Sequence, residues 1–296
     1  MSTLFFDMSD NLNLSAPVCE KIGATMGKLS MHYFPDGEVN IQIHSECKGK
    51  TVVVLADLSH PNAKILPLLF VLRMIKEHGP EKVVLIAPYL PYMRQDAVFH
   101  QGESILARHF AEILSENIDA LITVDPHLHR FFSLDQVYPV RTFLAHTTSP
   151  IAQWIKAHIS NPVIVGPDSE SRQWVEAIAS EIHVPFLVAN KVRHGDKDVE
   201  ITIQGIEDHK DKTVVLVDDI ISTGHTILEI TKHLETSGLS KITCIATHAI
   251  FNENAYGMLA QSHINQIVTC NTIPHVSNAV DVSESVAESY KLITRA

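Results

Sequence analysis

Apolar residues in this chain gather in short β-branched runs, and most of the runs stop abruptly at a carboxylate. Thr213-Val-Val-Leu-Val is followed by Asp218 and Asp219, then by Ile220-Ile-Ser-Thr-Gly-His-Thr226. Lys50-Thr-Val-Val-Val-Leu-Ala runs into Asp57, Ile118-Asp-Ala-Leu-Ile-Thr-Val into Asp125, and Val163-Ile-Val-Gly-Pro into Asp168. Runs of this length predict strands buried on both faces, as in a parallel sheet. Between them the spacing becomes helical: Ile65, Leu68, Leu69, Leu72 and Ile75 share one face, as do Ile227, Ile230 and Leu234. Gly79 and Gly238 mark where those helices stop.

The order of elements occurs twice. Lys50-Thr-Val-Val-Val-Leu-Ala-Asp-Leu58 matches Lys212-Thr-Val-Val-Leu-Val-Asp-Asp-Ile220, which sets Asp57 opposite Asp219. After each helix comes a lysine and a new strand, Lys82-Val-Val-Leu-Ile-Ala87 in one copy and Lys241-Ile-Thr-Cys-Ile-Ala246 in the other. Ile118-Asp-Ala-Leu-Ile-Thr-Val-Asp125 likewise resembles Ile264-Asn-Gln-Ile-Val-Thr-Cys-Asn271. The expected architecture is α/β: two domains of similar topology, each a mainly parallel sheet flanked by helices, spanning residues 1–145 and 146–296. The final apolar pattern, Val282 to Ile293, is open between packing on its own domain and returning to the first.

Bulk properties narrow the partners. A chain of 296 residues with 45% hydrophobic content can bury a substantial core, and a formal charge of -11 argues against a nucleic-acid groove. Cys19, Cys47, Cys244 and Cys270 form no C-x-x-C pair and read as buried thiols in a reducing cytosol. The start shows no signal-peptide pattern, and the longest apolar run, Ile65 to Leu72, is too short to span a bilayer. A cytoplasmic protein without membrane attachment is expected.

The strand ends carry the chemistry, because ligands of open α/β sheets bind there. Ser222, Thr223, Gly224, His225 and Thr226 offer hydroxyls and backbone amides at the start of a helix pattern that becomes apolar from Ile227, a site suited to a phosphate. Asp218 and Asp219 beside it would repel a phosphate but suit sugar hydroxyls or a metal, so a phosphorylated sugar is the natural ligand. The first copy has His60-Pro-Asn-Ala63 in that place, and Pro61 removes an amide. Arg94 and Gln95 stand in the stiff segment Pro88-Tyr-Leu-Pro-Tyr-Met-Arg-Gln-Asp96, where an aromatic turn is the plain alternative. His127, in Asp125-Pro-His-Leu-His129, can present a metal ligand or be structural, and Asp168 can meet a metal or cap a helix. Lys191 and Arg193 precede the polar segment His194-Gly-Asp-Lys-Asp198, which reads as an exposed mobile loop; the pair can cover a transferring phosphoryl group or be a solvated edge. Phe34-Pro-Asp-Gly-Glu38 reads locally as a β-turn.

Taken in order, Phe34-Pro-Asp-Gly-Glu38, Tyr92-x-Arg-Gln-Asp96, Asp125-Pro-His127, Pro167-Asp168, Lys191-x-Arg193 and the loop from Asp218 to Thr226 resemble the ribose-phosphate diphosphokinase (phosphoribosyl pyrophosphate synthase) family. Their spelling is closer to its archaeal-type branch than to the phosphate-activated one. The resemblance implies a tandem pair of phosphoribosyltransferase-like domains and transfer of the diphosphoryl group of ATP to ribose 5-phosphate, dependent on Mg2+. It implies that residues 222–226 hold the 5-phosphate, Asp218 and Asp219 the ribose hydroxyls, and Arg94 and Gln95 the ATP. Asp36, Gly37 and Glu38 of a neighbouring subunit would contact adenine, which implies a homo-oligomer built on dimers. His127 and Asp168 would bind the metal, while Lys191 and Arg193 stabilise the transferred group, Arg193 also on the ribose 5-phosphate side. Two departures stand out: His225 replaces a usual glycine, and Ser169-Glu-Ser171 replaces a glycine-richer loop. The other readings are a catalytically weak or silent regulatory homologue and a phosphoribosyltransferase that consumes phosphoribosyl pyrophosphate.

Overall fold

The computed structural model describes residues 2–193 and 199–295. The chain forms two compact units, Met1–His146 with Val282–Ala296, and Thr147–Asp281.

The first unit opens with β1 (Thr3–Met8), α1 (Leu12–Lys21) and the short β2 (Thr25–Met26). A hairpin of β3 (Leu29–Tyr33) and β4 (Val39–Ile43) follows, then β5 (Thr51–Ala56), α2 (Ile65–Glu77), β6 (Lys82–Ile86), α3 (Leu106–Ser115), β7 (Ala120–Val124) and β8 (Arg141–Ala145). The sheet order is β2-β1-β5-β6-β7-β8, and every pair is parallel. Its central strands are apolar on both faces because helices cover both; all five residues of β7 are buried.

The second unit repeats the plan. After α4 (Thr148–His158) come β9 (Pro162–Gly166), α5 (Arg172–Ile182) and β10 (Phe186–Val188), then a hairpin of β11 (Asn190–Arg193) and β12 (Val199–Thr202). β13 (Thr213–Ile221), α6 (His225–Thr236), β14 (Ile242–Ala249), α7 (Ala255–Ala260), β15 (Gln266–Cys270) and β16 (Asn278–Val280) complete it. The order β10-β9-β13-β14-β15-β16 is that of the first sheet, strand for strand, and again all parallel. In both units the chain first moves outward to one neighbour and then crosses to the other side of its starting strand. The crevice at that reversal, between β1 and β5 or between β9 and β13, is where open α/β sheets bind ligands. The two hairpins also correspond. The segment 194–198, for which the sequence predicted mobility, lies outside the described residues.

The repeat closes by exchange. α4 follows β8 in sequence yet packs on α5 and β16 of the second unit. α8 (Ser283–Arg295) follows β16 and packs on α1, β7 and β8 of the first. Val282, Val286, Ala287, Tyr290 and Ile293 are buried along this last segment. The Tyr290 hydroxyl lies 3.0 Å from Thr3 Oγ1, and Ser289 Oγ donates to the Leu144 carbonyl at 3.0 Å. The Lys21–Glu284 ion pair at 2.6 Å is exposed and contributes little. All four cysteines are buried free thiols, and no helix among the described residues is long and apolar enough to cross a membrane.

Full burial of one large apolar side chain is worth about 1.5–3 kcal/mol, so the α8 stripe is comparable with a whole domain's margin of about 5–15 kcal/mol. Deleting residues 282–296 is expected to raise amide exchange across β7, β8 and α1 well before β13 and β14. Equal loss of protection in both units would contradict this division.

Candidate active site

In the second unit, the ninth and last residue of β13 is Ile221, so the acidic pair does not end the strand as the sequence suggested. β13 pairs with β14 through Ile221, opposite Ala249, but its pairing with β9 stops at Leu216 opposite Val165. Asp218 and Asp219 therefore ride on the part of β13 that overruns β9, at the reversal crevice. Asp168 reaches the same crevice from the segment following β9. Its Oδ1 accepts the amides of Glu170 and Ser171, each at 3.0 Å, and Ser171 Oγ donates to its carbonyl at 2.6 Å. Asp168 is not the N-cap that the sequence allowed: α5 starts at Arg172 after Ser171, and the Asp168 carboxylate instead fixes the turn ahead of it. Gly166 makes that turn possible, since a Cβ there would lie 2.2 Å from Ser171 Oγ. Burial first, then the charges of Asp219 and Asp168, pushes the Asp218 carboxyl well above the usual carboxylate range. Glu170 is exposed.

The loop after β13 turns into α6 at His225, two residues earlier than the apolar pattern indicated. Gly224 adopts φ 73°, and α6 has neither a side-chain cap nor an acidic residue in its first turn. Its opening amides and dipole thus suit an anion. His225 is the first helical residue and is exposed, while Ser222 and Thr226 are half-buried. Lys191 and Arg193 lie on β11, opposite Ile201 and Val199 of β12; their side chains fall outside the described residues.

In the first unit the equivalent positions are closed from inside. Asp57, opposite Asp219 in the repeat, is buried and accepts the Ser59 amide and hydroxyl, each at 2.8 Å. Lys64 forms an ion pair with it and donates to Ser59 Oγ at 3.0 Å. With Pro61 opening the turn before α2, this copy has a lysine where the other has an amide cradle. Arg94 and Gln95 are exposed, beside a buried Asp96 held by Arg130 at 2.7 Å. Tyr92, in the Pro88–Asp96 segment, adopts φ 64° and donates to Asn62 Oδ1 at 2.8 Å. His127 stacks on His129 with ring centroids 3.5 Å apart. Asp36, Gly37 and Glu38 form the exposed tip of the β3–β4 hairpin, closed by Gly37 N–H to the Phe34 carbonyl at 2.9 Å and Phe34 N–H to the Glu38 carbonyl at 2.8 Å.

Comparison with known proteins agrees with this layout. The N-terminal domain of ribose phosphate pyrophosphokinase matches residues 3–117, and the phosphoribosyl transferase domain matches residues 133–285. A ribose-phosphate pyrophosphokinase of Methanopyrus kandleri is 32% identical over 95% of this chain and 96% of its own. The chain belongs to the ribose-phosphate pyrophosphokinase family. A relative of the same name from Saccharolobus solfataricus is 32% identical over 88% of this chain and 91% of its own. The crystal structure of a phosphoribosylpyrophosphate synthetase from Mycobacterium smegmatis shares the fold, with a TM-score of 0.86 at 22% identity over 100% of this chain and 99% of that chain. As a pyrophosphokinase by family, the chain is an enzyme of the diphosphokinase class with tandem phosphoribosyltransferase-like domains.

Three residues that the motifs did not single out shape these two crevices. Gly166 permits the Asp168 turn, Lys64 neutralises Asp57, and Leu259 of α7 lies 3.1 Å from where a Cβ of Gly224 would stand. None carries a sequence signal of its own, because each acts through a tertiary contact.

The Asp218 shift has a defined sign. A carboxyl whose folded pKa lies above its unfolded value of about 3.9 favours the fold most at low pH, and that contribution is lost as pH rises through the folded pKa. Asp218→Asn, in chelator and without substrate, is expected to gain urea stability over the parent as pH rises from about 4 to 8. A constant gap across that range would exclude the titration of Asp218 as its cause.

Proposed function

We propose that the protein transfers the β,γ-diphosphoryl group of ATP to O1 of ribose 5-phosphate, giving 5-phosphoribosyl 1-diphosphate and AMP, with Mg2+ required. The observation that carries this reading is the crevice of the second unit, where two strand-borne carboxylates adjoin an uncapped, acid-free helix start. One end suits sugar hydroxyls and the other a phosphate, and family membership supplies the diphosphokinase class.

In this reading Ser222, Thr223, Gly224, His225 and Thr226 hold the 5-phosphate, and Asp218 and Asp219 orient the ribose hydroxyls. Arg94 and Gln95 bind ATP in the first unit, and the hairpin tip Asp36, Gly37 and Glu38 serves the adenine of a neighbouring subunit in a dimer-based homo-oligomer. The O1 hydroxyl attacks the β-phosphorus, the bond between the α- and β-phosphates breaks, and AMP leaves. Lys191 and Arg193 balance the charge on the transferred group, Arg193 also meeting ribose 5-phosphate. Such transfer depends on positioning and charge stabilisation rather than on a covalent intermediate.

The donor set fits a hard divalent cation: Asp168 offers a carboxylate held by two amides, and beside it the charges of Asp219 and Asp168 add to burial in raising the Asp218 carboxyl, a repulsion that a cation would relieve. Asp168, and His127 of the first unit, are the residues assigned to Mg2+. When bound, Mg2+ would neutralise charge on the diphosphate oxygens.

A second reading, a weak or silent homologue that regulates an active synthase, is favoured by His225 in the phosphate loop and Glu170 after Asp168. A transferase that consumes phosphoribosyl pyrophosphate fits less well, since it has no use for Arg94 and Gln95 as an ATP site.

Purified protein with ATP, Mg2+ and ribose 5-phosphate is expected to form AMP and phosphoribosyl pyrophosphate with or without inorganic phosphate. No product from folded, ATP-binding protein would favour the silent homologue. Lys191→Ala is expected to lower turnover on the order of 1,000-fold with ATP binding little changed; a near-parental rate would remove Lys191 from the mechanism. Asp219→Ala should weaken ribose 5-phosphate more than ATP, and His225→Gly should preserve or improve ribose 5-phosphate binding. Equal losses toward both substrates in Asp219→Ala would overturn the assigned division of roles.

A further inference from the structure

The segment from the end of β14 through α7 touches the 222–226 loop at two points, and the connecting turn between the two elements has no part in the roles assigned so far. The Asn252 amide donates to the Ser222 carbonyl at 3.1 Å. From the other side, Leu259 of α7 approaches Gly224, where an added Cβ would meet its Cδ1 and Cγ at 3.1 Å. One residue joins the two contacts. The Asn252 side-chain Oδ1 accepts the Ala255 amide at 2.9 Å, at the first residue of α7, and the Asn252 carbonyl accepts the same amide at 3.1 Å. Asn252 thus sets where α7 begins, while its own N–H grips the loop.

The surroundings hold that link in place. Phe251, Tyr256 and His275 pack ring against ring, with centroids 4.7 Å apart for Phe251–His275 and 4.8 Å for Tyr256–His275. His275 is itself fixed, its Nδ1 accepting the Ser277 amide at 3.2 Å and its own amide donating to Asn278 Oδ1 at 2.9 Å. The ring cluster therefore braces both neighbours of the Asn252 turn: Phe251 precedes it and Tyr256 lies on the helix it caps. A loop whose backbone amides must converge on an anion needs its carbonyls held outward. The Asn252–Ser222 bond does this for the loop's first residue.

We infer that Asn252 is a positioning residue for the sugar-phosphate loop, acting through its bond to Ser222 and, by capping α7, through the seat that Leu259 provides for Gly224. The inference rests on the reading of residues 222–226 as the 5-phosphate site. Asn252 itself touches no substrate in this scheme.

The test is calorimetric titration of ribose 5-phosphate, and separately of a non-hydrolysable ATP analogue, into the full-length protein with Mg2+. Titration does not require turnover. Asn252→Ala removes the cap acceptor and keeps the backbone; it is expected to weaken ribose 5-phosphate about five- to tenfold while leaving the ATP analogue unchanged. Asn252→Ser restores a cap acceptor and is expected to bind ribose 5-phosphate close to the parental level. Amide exchange should rise at Asn252 and across 222–226 in the alanine variant and not in the serine variant. Equal weakening toward both ligands, lowered thermal stability with unchanged binding, or failure of the serine variant to recover would overturn the inference. Thr226→Val separates it from the reading beneath it. If Thr226→Val weakens ribose 5-phosphate and Asn252→Ala does not, the positioning role falls alone. If neither does, the assignment of the phosphate loop falls and takes the positioning role with it.

Discussion

Adjacent carboxylates on a buried strand carry an electrostatic cost, and the second unit is arranged around bearing it. Desolvation and mutual repulsion both oppose ionisation of Asp218, and Asp168 adds to the repulsion. An apolar sheet would tolerate this only where the strand leaves its neighbour behind, and β13 does so after Leu216 on the β9 side. The same geometry keeps β14 paired alongside, with Asp218 opposite Ala246. Asp168, fixed by the Glu170 and Ser171 amides, and the amide-rich start of α6 then supply the positional order that ligand chemistry needs.

The first unit shows what becomes of the same frame when that cost is removed. Its sheet repeats the strand order, but a single Asp57 stands where the acidic pair would be, and Ser59 and Lys64 satisfy it internally. An ammonium from the chain itself stands beside the carboxylate. One plan thus yields one crevice with two adjacent carboxylates and one with a single carboxylate that an internal lysine meets. The physical difference rests on a handful of residues between the strand end and the first turn of the following helix.

Much of this was legible from residue order. Continuous β-branched runs identified β5, β6, β13 and β14, because strands covered on both faces have few other spellings. Paired left-handed glycines at Gly79 and Gly238 ended α2 and α6 as their positions indicated. The opening β1-α1-β2 segment was not read: Thr-Leu-Phe-Phe-Asp-Met is short, β2 has two residues, and α1 contains Pro17. The correspondence of the two hairpins also escaped, since exposed ribbons keep their topology with little constraint on side chains. At the site, motifs exposed Asp168, Asp218, Asp219 and the loop after them, because strand ends broadcast their chemistry in sequence. They could not expose Leu259 or Asn252, whose contributions run through van der Waals contact and a backbone amide. Nor could amphipathic spacing say which sheet α4 or α8 covers, since it reveals an apolar face but not its partner.

That last ambiguity has a consequence for how the molecule is made. A ribosome delivers β1 through β8 first, and domains commonly fold as they emerge. Here the helix that covers α1, β7 and β8 is α8, which leaves the ribosome only after every strand of the second sheet has been translated. Until then the nascent first sheet presents an uncovered apolar face, the kind of surface that chaperones hold and that aggregates form from. The first half of the polypeptide is thus the earliest to be synthesised and the last to be finished.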